Sequence, residues 1–119
     1  METVTIDGVD YIPKTDAMTP AFDPDGRPYQ IIRTYSAGVF AGYVESRNGK
    51  EVVIRRARRL WYWAGAASLS QLAVSGTSKP DDCKFPVEMD RTTVTEVIEI
   101  IDCTEAARDS IEGVKVWAQ

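Results

Sequence analysis

Four arginines in five positions, Arg55, Arg56, Arg58 and Arg59, stand inside a run that otherwise reads as strand. From Val52 to Trp63 the chain is rich in β-branched and aromatic residues and holds no Gly or Pro, the composition of a long strand. Alternate residues of a strand point to opposite faces. One face then carries Val53, Arg55, Ala57, Arg59, Trp61 and Trp63, and the other Val52, Ile54, Arg56, Arg58, Leu60 and Tyr62. Both faces mix cations with apolar bulk, so neither is a plain core face. A guanidinium cannot be buried without partners. The arginines either pair with carboxylates, which this chain has in excess, or they await an anion.

The residues that follow show what the second choice would use. Ala64-Gly65-Ala66-Ala67 allows a close backbone turn, and Ser68 with Gln71 three positions on has the pattern of a capping box. Leu69, Leu72 and Ala73 give the expected helix its apolar side, with Gly76 just past its end. A helix start with Ser68 and Ser70 is the kind of place where anions bind. Arginines add bidentate phosphate contacts, and tryptophan or tyrosine can stack on a base. The candidate ligand-binding residues are therefore Arg55, Arg58, Arg59, Trp61, Trp63, Ser68 and Ser70, flanked by Tyr35 and Ser36 on the neighbouring strand. The plainer alternative is that Trp61 and Trp63 are core residues and that the arginine stems only cover apolar surface.

Composition narrows the ligand. The net charge is −4, which argues against a protein that coats long nucleic acid. Yet residues 47–59 carry Arg47, Lys50, Arg55, Arg56, Arg58 and Arg59 against Glu51 alone. A basic patch on an acidic protein suits a compact anion. The chain has no histidine, so the commonest general base and zinc ligand is missing. No Walker loop or GxGxxG is present, and no cofactor or metal is implied. Cys83 and Cys103 make no CxxC and read as free thiols of a reducing cytoplasm. No apolar run reaches the roughly 20 residues of a membrane span.

The 119 residues suit one domain. Residues 3–12 alternate around Asp7-Gly8, a hairpin signal. Residues 13–28, with four prolines among aspartates, read as an acidic linker, so residues 1–28 form an N-terminal appendage. Residues 29–119 form the β-rich domain. Within it Tyr29–Tyr35, Val39–Ser46 and the arginine strand make a three-stranded meander, with a tight turn at Asn48-Gly49. Thr77–Asp90 is irregular, Thr92–Ile101 reads as one strand, Thr104 caps a helix over Glu105–Glu112, and Val114–Trp117 closes the chain as a strand. The fold class expected is mainly β (α+β): a small twisted antiparallel sheet or barrel with two short helices.

The segments Arg33–Gly42, Asn48–Val53 and Arg58–Ala73 resemble a family of small phage and prophage proteins described as a domain of unknown function. Lys84-Phe85-Pro86, Thr95–Ile100 and Gly113–Trp117 extend the likeness to about residues 29–117. With the small size and the arginine, aromatic and serine site, the phage origin that this resemblance implies makes the chain resemble viral anti-CBASS sponges. That likeness implies a non-enzymatic homo-oligomer, dimer or tetramer, that sequesters a cyclic dinucleotide or related small anionic nucleotide in the cytoplasm of a bacterial host. A protein–protein interaction module, such as an inhibitor of a host defence protein or a minor structural phage protein, is the alternative. Arginine with aromatics is also what interfaces use.

Overall fold

The computed structural model describes residues 18–118 and the backbone of two short strands before them. Those strands, β1 (Val4–Ile6) and β2 (Val9–Tyr11), pair antiparallel with Ile6 opposite Val9. The hairpin expected there is present, and its Asp7-Gly8 connection lies outside the described residues.

The meander follows as β3 (Tyr29–Thr34), β4 (Val39–Asn48) and β5 (Glu51–Arg59). Asn48 pairs with Glu51, so the loop is Gly49-Lys50, one residue later than expected. Gly49 takes φ 61°, the glycine-first pattern of a two-residue hairpin loop. The arginine strand also stops earlier than its composition suggests. The Leu60 N–H still reaches the Val39 carbonyl, but β4 begins at Val39 and offers nothing further to pair with. Beyond that point only Tyr62 forms a bridge, to Lys84.

Two more strands complete the sheet, β6 (Glu88–Val94) and β7 (Val97–Asp102), in the order β6-β5-β4-β3-β7. The single strand expected over residues 92–101 is thus two strands on opposite edges, separated by Thr95-Glu96. Nothing in that dipeptide is a turn former, so the apolar alternation hides the break. A two-residue connection between opposite edges requires the sheet to curl back on itself. The Val97 N–H donates to the Lys50 carbonyl (3.0 Å) and the Tyr35 N–H to the Glu96 carbonyl (2.9 Å), pinning the connection between the β4–β5 tip and the end of β3. The sheet is not closed into a barrel.

Bulges produce the curl. Gly42 of β4 faces both Arg56 and Ala57 of β5, and Arg56 takes φ 50°. A Cβ on Gly42 would meet the Ile54 side chain at 2.5 Å and the Arg55 carbonyl at 2.9 Å, so only glycine fits. A second shift lies between Val44 and Ser46.

The curl makes two cores. Ile32, Phe40, Val52, Ile54, Ala57, Val94 and Val97 form the inner one, with no helix residue among them, so the sheet itself covers them. On the outer face Tyr29, Ile31, Ala41, Tyr43, Leu60 and Phe85 pack against α1 (Leu69–Ser75) and α2 (Glu105–Glu112). Ser68 caps α1 and Thr104 caps α2, both as expected. Gln71 departs slightly from the capping box, accepting from the Ala67 N–H at 2.7 Å.

Two further expectations change. The segment read as linker is outside the described residues up to position 17, but Ala21 is buried and exchanges backbone bonds with Cys103 and Tyr29. Residues 19–28 therefore belong to the body of the fold. Val114–Trp117 is not a strand, making one bridge between Val116 and Phe85. Among the described residues no helix is long and apolar enough to cross a membrane.

Candidate functional site

The bulge at Arg56-Ala57 breaks the alternation on which the face assignment rested. Val52 and Ile54 share the inner core with Ala57, so parity changes between Arg55 and Ala57. Arg55 and Arg59, expected on one face, are therefore on opposite faces. Each of the four arginines has its own environment.

Arg55 pairs with Glu45 at 3.0 Å and Asp90 at 3.6 Å. The hydrogen bond from Arg55 holds the Glu45 carboxyl below its ordinary range. Arg56 pairs with Glu88 at 2.8 Å and Glu112 at 3.0 Å, and its guanidinium lies 5.7 Å from the Tyr43 ring centre. Arg58 is 4% exposed. It donates to the carbonyls of Pro86 (3.0 Å), Ile111 (2.8 Å) and Phe85 (3.1 Å), tying the 85–86 loop and the end of α2 to β5. Burial lowers its basicity, yet the guanidinium stays charged and is satisfied by three carbonyl dipoles. It has no free edge for a ligand.

Arg59 differs. Its guanidinium lies 4.5 Å over the ring of Phe40, its cross-strand partner. Among the described residues no carboxylate stands within ion-pair distance of it. It lines a surface pocket of about 270 Å³ together with Ser36, Gly38, Trp61 and Trp63. Trp61 is 64% exposed and Trp63 half-buried.

The β3–β4 turn forms the other wall of this pocket. The Thr34 hydroxyl donates to the Gly38 carbonyl (2.7 Å) and accepts from the Ala37 N–H (2.9 Å), holding the turn in one shape. Gly38 takes φ 94° with no atom within 4 Å of where a Cβ would stand, so its backbone is open to a ligand. Such a pocket can take one flat ring against indole and one anionic group against Arg59.

Of the expected site residues, the fold brings together Arg59, Trp61, Trp63 and Ser36. Ser36 donates to Glu96 at 3.2 Å. Tyr35, 78% exposed, faces a second depression with Lys50, Glu96 and Ile98. Ser68 and Ser70 are exposed and line neither cavity. The start of α1 is already capped by its own side chains, and a Cβ on Gly65 would meet the Lys79 backbone at 2.5 Å. The small-residue turn thus serves packing against residues 77–79. Arg55 and Arg58 stand apart from the pocket in the partners just described. Sequence reasoning missed Phe40, the platform under Arg59. The only signal for it was a cross-strand register that the bulge had obscured.

Residues 27–111 match the family model described as a domain of unknown function, DUF6948. No curated protein and no solved structure matches the chain.

Proposed function

We propose, for a chain that belongs to the DUF6948 family, non-enzymatic binding of a small anionic nucleotide in the Arg59 pocket. One observation carries the reading. Of four clustered arginines, Arg59 alone has neither a carboxylate nor a carbonyl partner among the described residues, and it stands beside two tryptophans in a concave site. A cation on one wall and indole on another match a phosphate joined to a base. A chain without histidine suits holding such a ligand better than cleaving it.

In this reading the setting is that of the small phage and prophage proteins that the sequence resembles. In this reading the ligand is a cyclic dinucleotide or a related cyclic oligonucleotide of bacterial defence. The protein is a homo-oligomeric sponge that withdraws the signal in the host cytoplasm. The exposed Trp61 and Tyr62 favour a second reading, a docking surface for a host protein, because exposed aromatics are what interfaces use.

The test is incubation with a panel of cyclic di- and trinucleotides, separation of the complex, heating, and chromatography of what is released. Intact nucleotide supports sequestration. Hydrolysed nucleotide points to an enzyme. Absence of any bound nucleotide favours the protein partner.

A further inference from the structure

The Arg59 pocket is smaller than the roughly 300–1,000 Å³ that encloses a drug-sized ligand, at about 270 Å³. A dinucleotide seated there must continue beyond it. The next residue along the chain from Trp61 leads to a second cation in aromatic company. Tyr62 stands between Trp61 and Trp63 in sequence but does not line the pocket. It pairs instead with Lys84, the Tyr62 N–H donating to the Lys84 carbonyl (3.2 Å) and the Lys84 N–H to that of Tyr62 (2.8 Å). The Lys84 ammonium then lies 5.8 Å from the Tyr62 ring and 5.6 Å from the Trp117 ring. Lys84 is exposed, Tyr62 is 52% exposed, and Trp117 is half-buried. The Trp117 backbone is tied down by its amide N–H, which donates to the Phe85 carbonyl at 3.0 Å.

No described carboxylate stands within ion-pair distance of Lys84. An ammonium on a flexible stem ordinarily wanders. Here the paired backbone places the base of the stem and the two rings draw the ammonium toward them, and the charge remains free to meet an anion. Three Cα–Cα steps lead from Arg59 to Tyr62, so their backbones stand at most about 11 Å apart. The segment 59–63 thus carries a cation with an aromatic platform on the pocket side, and a second such pair where Tyr62 meets Lys84.

We infer that Lys84, held between Tyr62 and Trp117, is a second phosphate-recognition point, and that the ligand of the Arg59 pocket is an oligonucleotide with at least two phosphates. This rests on the nucleotide reading above. The ligand's first phosphate meets Arg59 and its base stacks on Trp61 or Trp63. Its second phosphate meets Lys84, with Tyr62 or Trp117 beneath the next base. Two contacts rather than one also make binding more salt-sensitive, since each neutralised phosphate steepens the dependence.

The experiment is calorimetry of the whole chain with a nucleoside monophosphate and with a cyclic dinucleotide, for wild type, Lys84→Gln, Lys84→Arg and Arg59→Ala. Glutamine keeps a side chain between the rings and removes the charge. Wild type should bind the dinucleotide at least 10-fold more tightly than the monophosphate. Lys84→Gln should abolish most of that difference, leave monophosphate binding unchanged and flatten the salt dependence, while Lys84→Arg restores both. If Arg59→Ala weakens binding and Lys84→Gln binds the dinucleotide as wild type does, the second point is wrong and the pocket stands. If wild type binds neither nucleotide, or Arg59→Ala binds as wild type does, the pocket reading falls and takes this inference with it.

Discussion

The Arg59 guanidinium lies 4.5 Å over the ring of Phe40, the residue directly across the sheet from it. Beyond that ring, the guanidinium has no hydrogen-bond or ion-pair partner among the described residues. The charge is therefore oriented without being neutralised, which distinguishes Arg59 from Arg55, Arg56 and Arg58.

Arg59→Ala should weaken nucleotide binding by roughly 10- to 150-fold, the loss expected for one charge-assisted contact. Stability should fall by no more than about 1 kcal/mol, the worth of the ring contact. Calorimetry with a melting curve reads both. A variant that binds normally places the ligand elsewhere.

Arg58→Ala should behave in the opposite way. It takes the guanidinium from the Pro86, Ile111 and Phe85 carbonyls, leaving Phe85 with the Trp117 N–H and Ile111 with the Val114 N–H, and opens a void between β5 and α2. We expect a loss of about 3–5 kcal/mol in urea unfolding. A loss below 1 kcal/mol would show that water replaces the guanidinium at no cost.

Gly42→Ala should destabilise by about 1–3 kcal/mol, because the added methyl overpacks Ile54 and the Arg55 carbonyl. Chemical denaturation measures it. A neutral outcome would mean that the bulge at Arg56 relaxes freely.

Burial raises the Glu112 carboxyl above its ordinary 4.5, despite the opposing pull of Arg56 and Arg108. An acid whose folded pKa is raised binds its proton more tightly in the native state. Its stabilising contribution is complete below the unfolded value and is lost as pH rises through the folded one. Glu112→Gln should therefore flatten the stability profile in the window just above pH 4.5, read by urea midpoints across that range. An unchanged slope refutes the assignment.

Cys103 is buried, and burial pushes its thiol up to about 12. At pH 8 its alkylation by iodoacetamide should be on the order of 10³-fold slower than that of a free thiol. Peptide mapping after timed labelling follows it. Labelling at the free rate means that β7 opens readily.

Much of this architecture was legible in residues. Asn48-Gly49 with alternation on both sides announced the β4–β5 hairpin, and Ser68, Gly76, Thr104 and Gly113 bounded both helices. The mismatches share a physical cause. Local pattern reports periodicity, whereas β6 and β7 are set apart by long-range pairing across Thr95-Glu96, where no turn residue marks the change. The same limit affected the site. Strict alternation placed Arg55 with Arg59, and one extra residue opposite Gly42 separated them. The dilemma posed by the arginine run, carboxylate or anion, divides residue by residue: Arg55 and Arg56 have carboxylates, Arg58 has carbonyls, and Arg59 has neither. Lys84 and Trp117 gave no signal, since they meet only through bridges between irregular segments.

Thr95-Glu96 has a mechanical consequence. Three Cα–Cα steps span at most about 11 Å, so Val94 and Val97 can never stand further apart than that, whatever the side chains between them do. The dipeptide is a tether of fixed maximum length across the mouth of the sheet. Substitutions at the bulges can change how tightly β4 and β5 bend, but they cannot let the two margins drift apart at that end. The β3–β4 turn is fastened to that tether, by the Tyr35 N–H on the Glu96 carbonyl and the Ser36 hydroxyl on the Glu96 carboxylate, so one wall of the Arg59 pocket is held by the same short span of chain.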